Sequence, residues 1–142
     1  MRSLERAKSW LESAPPHCEQ PLWLNFWNSA DLACHETRVF LALRNGSRAL
    51  MAARNAVAES AADTFPRNHA IYMARLGHVL VHTGHLDEAT DVMCRVVGQA
   101  CNLTGSRRIM TDVRRTLNDM ERTGYPRAIQ LAASARHLIP AA

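Results

Sequence analysis

Apolar residues along this chain recur at steps of three and four, the spacing that lines one face of a helix. Leu86, Ala89, Met93, Val96, Val97 and Ala100 form one such stripe; Tyr72, Leu76, Val79 and Leu80 form a second; Ile109, Val113, Leu117 and Met120 form a third. No stretch sustains the period-two alternation of a half-buried strand, and β-branched residues are sparse. Short breakers separate the stripes: Ala14-Pro15-Pro16, Gln20-Pro21, Asn45-Gly46, Phe65-Pro66-Arg67-Asn68, Thr83-Gly84 and Thr123-Gly124-Tyr125-Pro126. The pattern predicts an all-α chain with helices over about 2–13, 22–43, 47–62, 68–83, 86–102, 106–122 and 126–138. Ser47 is the expected N-cap after Asn45-Gly46, and Pro126 suits the first turn of the last helix, where a missing N–H does no harm. Gly84 and Gly124 stand where a helix has to stop, because glycine takes the left-handed conformation there without strain. Long helices joined by short turns make antiparallel hairpins.

The hairpins repeat. Leu76-Gly77-x-x-Leu80 is followed by Gly84-x-x-Asp87-Glu88-Ala89, Met93 and Val96, which resembles the tetratricopeptide pattern of small residues at fixed places. Ala70, Gly77 and Ala89 take its small positions; an earlier hairpin has Ala30, Phe40 and Ala49 but puts Thr37 at a small position and Arg44 where the turn glycine belongs. A third has Ala128 after Gly124-Tyr125-Pro126-Arg127. Ala49, Ala89 and Ala128 are 40 and 39 residues apart, longer than the usual ~34, so the repeats are read as degenerate, with the excess in 63–68 and 101–106. The expected architecture is a right-handed tetratricopeptide-like α-solenoid forming a single domain over 1–142: an N-terminal helix and linker at 1–20, then hairpins at 21–67, 68–105 and 106–139.

A more particular likeness lies in Pro21-Leu22-Trp23-Leu24-Asn25-Phe26-Trp27-Asn28-Ser29-Ala30-Asp31-Leu32, continuing through Phe40-Leu41-Ala42-Leu43, His69-Ala70-Ile71-Tyr72-Met73-Ala74-Arg75-Leu76 and Gly84-His85-Leu86-Asp87-Glu88-Ala89. These segments resemble the tetratricopeptide-like C-terminal domain of helix-turn-helix (Xre-type) transcriptional regulators of high-GC Gram-positive bacteria, over roughly residues 20–139. The resemblance implies a sensing role in transcription regulation. About 20 residues precede Pro21, too few for the family's DNA-reading unit, so the expectation is a stand-alone repeat module or the C-terminal part of a longer regulator, with direct DNA binding not expected without a partner domain.

Composition narrows the classes further. The 142 residues are 47% hydrophobic and 21% charged, an ordinary globular balance. The net charge is +4, carried by 17 basic residues of which only Lys8 is lysine, against 13 acids. A basic surface attracts phosphate, but the doublets Arg107-Arg108 and Arg114-Arg115 sit among Asp112, Asp119 and Glu121 and read as solvated mixed-charge faces. The cysteines Cys18, Cys34, Cys94 and Cys101 form no CxxC pair or disulfide framework, and Cys94 and Cys101, seven apart, read as buried small hydrophobes. The N-terminus lacks the apolar region of a signal peptide, and no run reaches the ~18 apolar residues of a membrane span. A cytoplasmic protein with no membrane association is expected.

Catalytic signatures are missing: His35-Glu36 is not followed by a histidine at 39, and adjacent Cys34 and His35 diverge by about 100° on a helix. No phosphate loop, nucleophile elbow or carboxylate pair occurs, so neither an enzyme nor a cofactor is expected. His78 and His82, four apart, share a face that can hold zinc, but no acidic partner lies on that helix; they read as groove-lining residues rather than a metal site. Trp23 and Trp27 read as a cap on the end of the core, or as a docking face for a partner or a preceding domain. The first helix of each hairpin in such a fold presents its inner positions to a common concave face, and the resemblance places there Asp31, Cys34 and Arg38, then Ile71, Ala74, His78 and His82, then Thr111, Arg114 and Asn118. The expected partner-binding residues are Asp31, Arg38, His78, His82, Arg114 and Asn118. The expected function is a non-catalytic regulatory module that binds a protein or peptide, with a homodimer left open. The alternative is a nucleic-acid-associated regulatory protein using arginine-rich helix faces.

Overall fold

The computed structural model describes residues 2–13, 28–60, 65–100 and 107–138, without the side chains of 100, 107 and 108. All regular structure in these residues is helical: α1 (Arg2–Glu12), α2 (Ser29–Ala42), α3 (Gly46–Ala58), α4 (Pro66–His82), α5 (Leu86–Ala100), α6 (Arg107–Arg122) and α7 (Pro126–Ala135). No helix among them is long and apolar enough to cross a membrane. Trp23, Trp27, Cys18 and Cys101 lie outside the described residues.

Two expected boundaries are corrected. The second helix does not run unbroken from 22: Asn28 has an extended backbone, and its side chain accepts a hydrogen bond from the Asp31 N–H at 3.1 Å, so α2 starts at Ser29. Asn45, not Ser47, caps α3; its side chain accepts from the Arg48 N–H at 3.1 Å, which brings Gly46 and Ser47 inside the helix.

The helices pack in consecutive pairs, α2 with α3, α4 with α5 and α6 with α7, and α4 also touches α2, α3 and α6. The first two turns are built alike. In one, Arg44 takes a left-handed backbone (φ 55°), the Asn45 N–H donates to the Phe40 carbonyl at 2.9 Å and the Arg44 N–H to the Leu41 carbonyl at 3.0 Å. Forty residues on, Gly84 is left-handed (φ 81°), the His85 N–H donates to the Leu80 carbonyl at 2.9 Å and the Gly84 N–H to the Val81 carbonyl at 3.2 Å. This double bond around one left-handed residue is the Schellman termination, which satisfies the last carbonyls of a helix. Gly124 (φ 73°) repeats the left-handed residue after another forty, but there the next N–H, of Tyr125, turns to the Thr123 hydroxyl at 3.2 Å.

Packing explains the alanines of α3 and α7. The buried face of α3 is Ala49, Ala52, Ala53 and Ala56, and that of α7 is Ala128, Ala132 and Ala135, so both can approach their partners closely. The bulk comes from α4, α5 and α6, where Leu80, Met93, Val96, Ile109, Val113 and Met120 are fully enclosed. Val92 and Met93 crowd α4 at Gly77: a Cβ there would stand 2.6 Å from the Met93 sulfur. By contrast α1 buries no residue and meets the rest at α2, with Lys8 Nζ 2.8 Å from Glu36. Cys34 is buried, whereas Cys94 is exposed, against the expectation that it was a small core residue: the stripe Val92, Met93, Val96 and Val97 turns inward and leaves position 94 on the outer side of α5.

Candidate functional site

A groove of about 610 Å³ runs between α2, α4 and α6. Its walls are Thr37, Arg38, Leu41 and Ala42 from α2, Ala74, Arg75, His78, Val79 and His82 from α4, and Asp112, Arg115 and Thr116 from α6. Its floor includes the core residues Ala74 and Val79, and its charged walls come from Arg38, Arg75, Asp112 and Arg115. On α6 the apolar series Ile109, Val113, Leu117, Met120 is buried, and the interleaved series Asp112, Arg115, Thr116, Asp119 faces α4.

Three of the expected partner-binding residues, Arg38, His78 and His82, meet in this groove. Asp31 does not line it: its carboxylate accepts a 2.6 Å hydrogen bond from the Tyr72 hydroxyl, tying α2 to α4, and burial together with that carboxylate raises the phenol pKa. Arg114 and Asn118 lie elsewhere, beside a small hollow of about 180 Å³ with Leu117, Glu121 and Arg136. Translating the α4 positions by one repeat gives Asn118 as the counterpart of His78, but the side of α6 that meets α4 carries Asp112 and Asp119, which reach Arg75 and His78. A helix turned by about 100°, one residue step, presents Arg115 and Asp119 instead.

Charge in the groove is unevenly compensated. Arg75 Nε stands 3.7 Å from Asp112 Oδ2, and its guanidinium also donates to the Cys34 sulfur. Arg38 and Arg115 have no ion-pair partner among the described residues, so the groove carries an excess of positive charge. Other arginines are paired outside it: Arg54 with Glu88, Arg127 with Asp87 and Asp91, and Arg136 with Glu121.

At one end of the groove two imidazoles and a carboxylate converge. Asp119 Oδ2 lies 3.4 Å from His78 Nδ1 and 3.6 Å from His82 Nε2, and the two rings stand edge to face with centroids 4.4 Å apart. Arg122 Nη1 lies 3.4 Å from the other carboxylate oxygen. Burial, helped by the charges of His82 and Arg115 and opposed by Asp119, lowers the His78 pKa from 6.5 to about 4. His78 is therefore neutral at physiological pH, and its buried Nδ1 has no hydrogen-bond partner. Sequence reasoning found both histidines and missed Asp112, Arg115 and Asp119; the polar i, i+3, i+4, i+7 series on α6 was the signal that could have shown them.

Among the described residues, the fold and groove define consecutive, packed helix pairs around a cleft of mixed lining with an excess of arginine. Compared with models of known protein families, with curated proteins and with solved structures, the chain matches none of them.

Proposed function

We propose that the chain is a non-catalytic regulatory module that binds a protein or peptide in the groove of α2, α4 and α6, through an acidic or carboxylate-bearing segment. The observation that carries this reading is the pair of uncompensated guanidinium groups, Arg38 on α2 and Arg115 on α6, facing one open cleft. Guanidinium forks match carboxylates with two parallel hydrogen bonds, and clefts between helices recur as peptide sites. The repeated left-handed turns forty residues apart, with consecutive helix pairs packed together, support a tetratricopeptide-like solenoid. The resemblance to the sensor half of transcriptional regulators supplies the regulatory part of the reading, and with it a cytoplasmic setting. Ligand binding between three helices that share one core gives a route to regulation, because a ligand that fits one helix spacing better shifts the population toward it.

A random-sequence peptide display library panned on the immobilised chain tests this. Acidic peptides are expected to be enriched, and the Arg38→Ala, Arg115→Ala double variant is expected to lose that enrichment while remaining helical by circular dichroism. Equal enrichment on both proteins overturns the site. Preferential retention of polyanionic nucleic acid, with affinity falling steeply with log salt, overturns the class of partner.

A further inference from the structure

We propose that His78, His82 and Asp119 form a binding site for one divalent transition-metal ion of the zinc class, held by two imidazole nitrogens and one carboxylate oxygen, with a fourth position open to the groove.

The distances lead to this assignment. Zinc bonds to nitrogen and oxygen of about 2.0–2.1 Å in a tetrahedron place neighbouring ligand atoms about 3.3 Å apart. Asp119 Oδ2 lies 3.4 and 3.6 Å from the two imidazole nitrogens, and all three ligand atoms lie within 4.8 Å of one another. These separations are long for N–H···O hydrogen bonds, which centre on about 2.9–3.0 Å. The two carboxylate–imidazole separations match those of neighbouring ligands on one tetrahedral ion.

The orphaned nitrogen gives an independent reason. A buried imidazole nitrogen without a partner costs free energy and calls for an occupant. His78 Nδ1 is such an atom, and it points to Asp119. At 3.4 Å from Asp119 Oδ2 this nitrogen makes no hydrogen bond to the carboxylate, which leaves it available to an ion held between the two groups. Two imidazoles with one carboxylate select zinc and its first-row neighbours over calcium or magnesium, which take oxygen ligands.

The surroundings are consistent with a tuned site. His78 is set by the well-packed helix α4, next to Gly77, where Met93 closes in. His82, with its side chain half exposed, has the freedom to close the last gap. Arg122 on the outer oxygen of Asp119 orients the carboxylate, the role outer-sphere partners take in metal sites. Arg115 is the opposing charge, a cation lining the same groove as His78 and His82 with no ion-pair partner among the described residues. Removing that charge should strengthen metal binding. Three protein ligands with a fourth position open are the arrangement of zinc sites that accept an exogenous ligand, and here the open position faces the cleft.

The test uses the full chain without a histidine tag, stripped with a chelator and titrated with zinc chloride by calorimetry and with cobalt chloride by visible absorption. One equivalent of each metal is expected to bind, with cobalt giving d–d bands of low coordination number. His82→Ala and Asp119→Asn should each weaken zinc at least about tenfold, and Arg115→Gln should tighten it. His82 is half exposed and Asn is nearly isosteric with Asp, so both variants are expected to keep the helical circular dichroism of the parent; Cys94→Ser should bind as the parent does. Absence of one-equivalent binding overturns the site, as does zinc affinity unchanged in both His82→Ala and Asp119→Asn. Peptide enrichment by metal-free protein would persist in that case, so failure of the metal site is distinguishable from failure of the groove reading.

Discussion

Gly77 shows how much one missing carbon atom can decide. It lies on α4, whose neighbour α5 presses Met93 so close that an added Cβ would stand 2.6 Å from its sulfur and 2.8 Å from its Cγ. Alanine in a helix interior is favoured over glycine by about 1 kcal/mol, but forcing an extra carbon into a packed core costs about 1–3 kcal/mol. Met93 is fully buried and cannot swing out to solvent, so packing is expected to win. Gly77→Ala should lower stability by about 1 kcal/mol, read as the urea midpoint at constant slope. In a Met93→Ala background the same substitution should become stabilising, because the obstruction is gone and the helix preference remains. A Gly77→Ala penalty that is the same in both backgrounds would refute the close approach as its cause. The neighbouring His78 carries the same lesson for function: its i, i+4 relation to His82 was legible in the sequence, whereas its burial and its bare nitrogen depend on packing that no spacing rule encodes.

Each helix pair turns on one left-handed residue, and the three occupants, Arg44, Gly84 and Gly124, are forty residues apart. Glycine takes that conformation freely, whereas an L-residue with a Cβ gives up about 1–2 kcal/mol. Glycine also adds about 0.4–1 kcal/mol of freedom to the unfolded chain, which offsets part of the gain. Arg44→Gly should therefore stabilise the protein by about 0.5–1 kcal/mol, and Gly84→Ala should destabilise it by about as much, both measurable as shifts in the thermal midpoint. A fall in stability for Arg44→Gly would mean that the arginine side chain contributes more than its backbone conformation costs. The breakers were readable in sequence at Gly84 and Gly124, and Arg44 already stood at the glycine position of a degenerate repeat. That its backbone keeps the glycine conformation was not readable, because the hydrogen bonds that enforce it, from Asn45 to Phe40 and from Arg44 to Leu41, are made by atoms common to every residue. Register on α6 was lost for a related reason. Counting along the repeat carries α4 positions onto Arg114 and Asn118, but the groove is shaped by which side of α6 meets α4, and that side presents Asp112, Arg115 and Asp119.

At the scale of the whole molecule, stability should be graded rather than uniform, because each helix pair is held mainly by its neighbours. The helix α4 lies at the centre of this arrangement, touching α2, α3, α5 and α6, and nine of its residues are buried. Opening it exposes core contributed by every pair, so its amides can exchange only when most of the structure opens. The opposite extreme is α1, which buries no residue and is tied down by the Lys8–Glu36 pair. Lys8 is nearly half exposed, and a pair of that kind contributes at most about 1 kcal/mol, too little to offset the ordering of eleven residues. Native-state hydrogen exchange followed by mass spectrometry should therefore find α1 exchanging first and α4 with α5 last, near the global unfolding free energy. Glu36→Gln should speed exchange in α1 alone, since the charge it removes holds no other helix. If zinc occupies the site between α4 and α6, its addition should slow exchange in those two helices and leave α1 unchanged, because a ligand protects the elements whose separation releases it. Slow exchange in α1, at the level of α4, would show that this helix is anchored by more than its contact with α2.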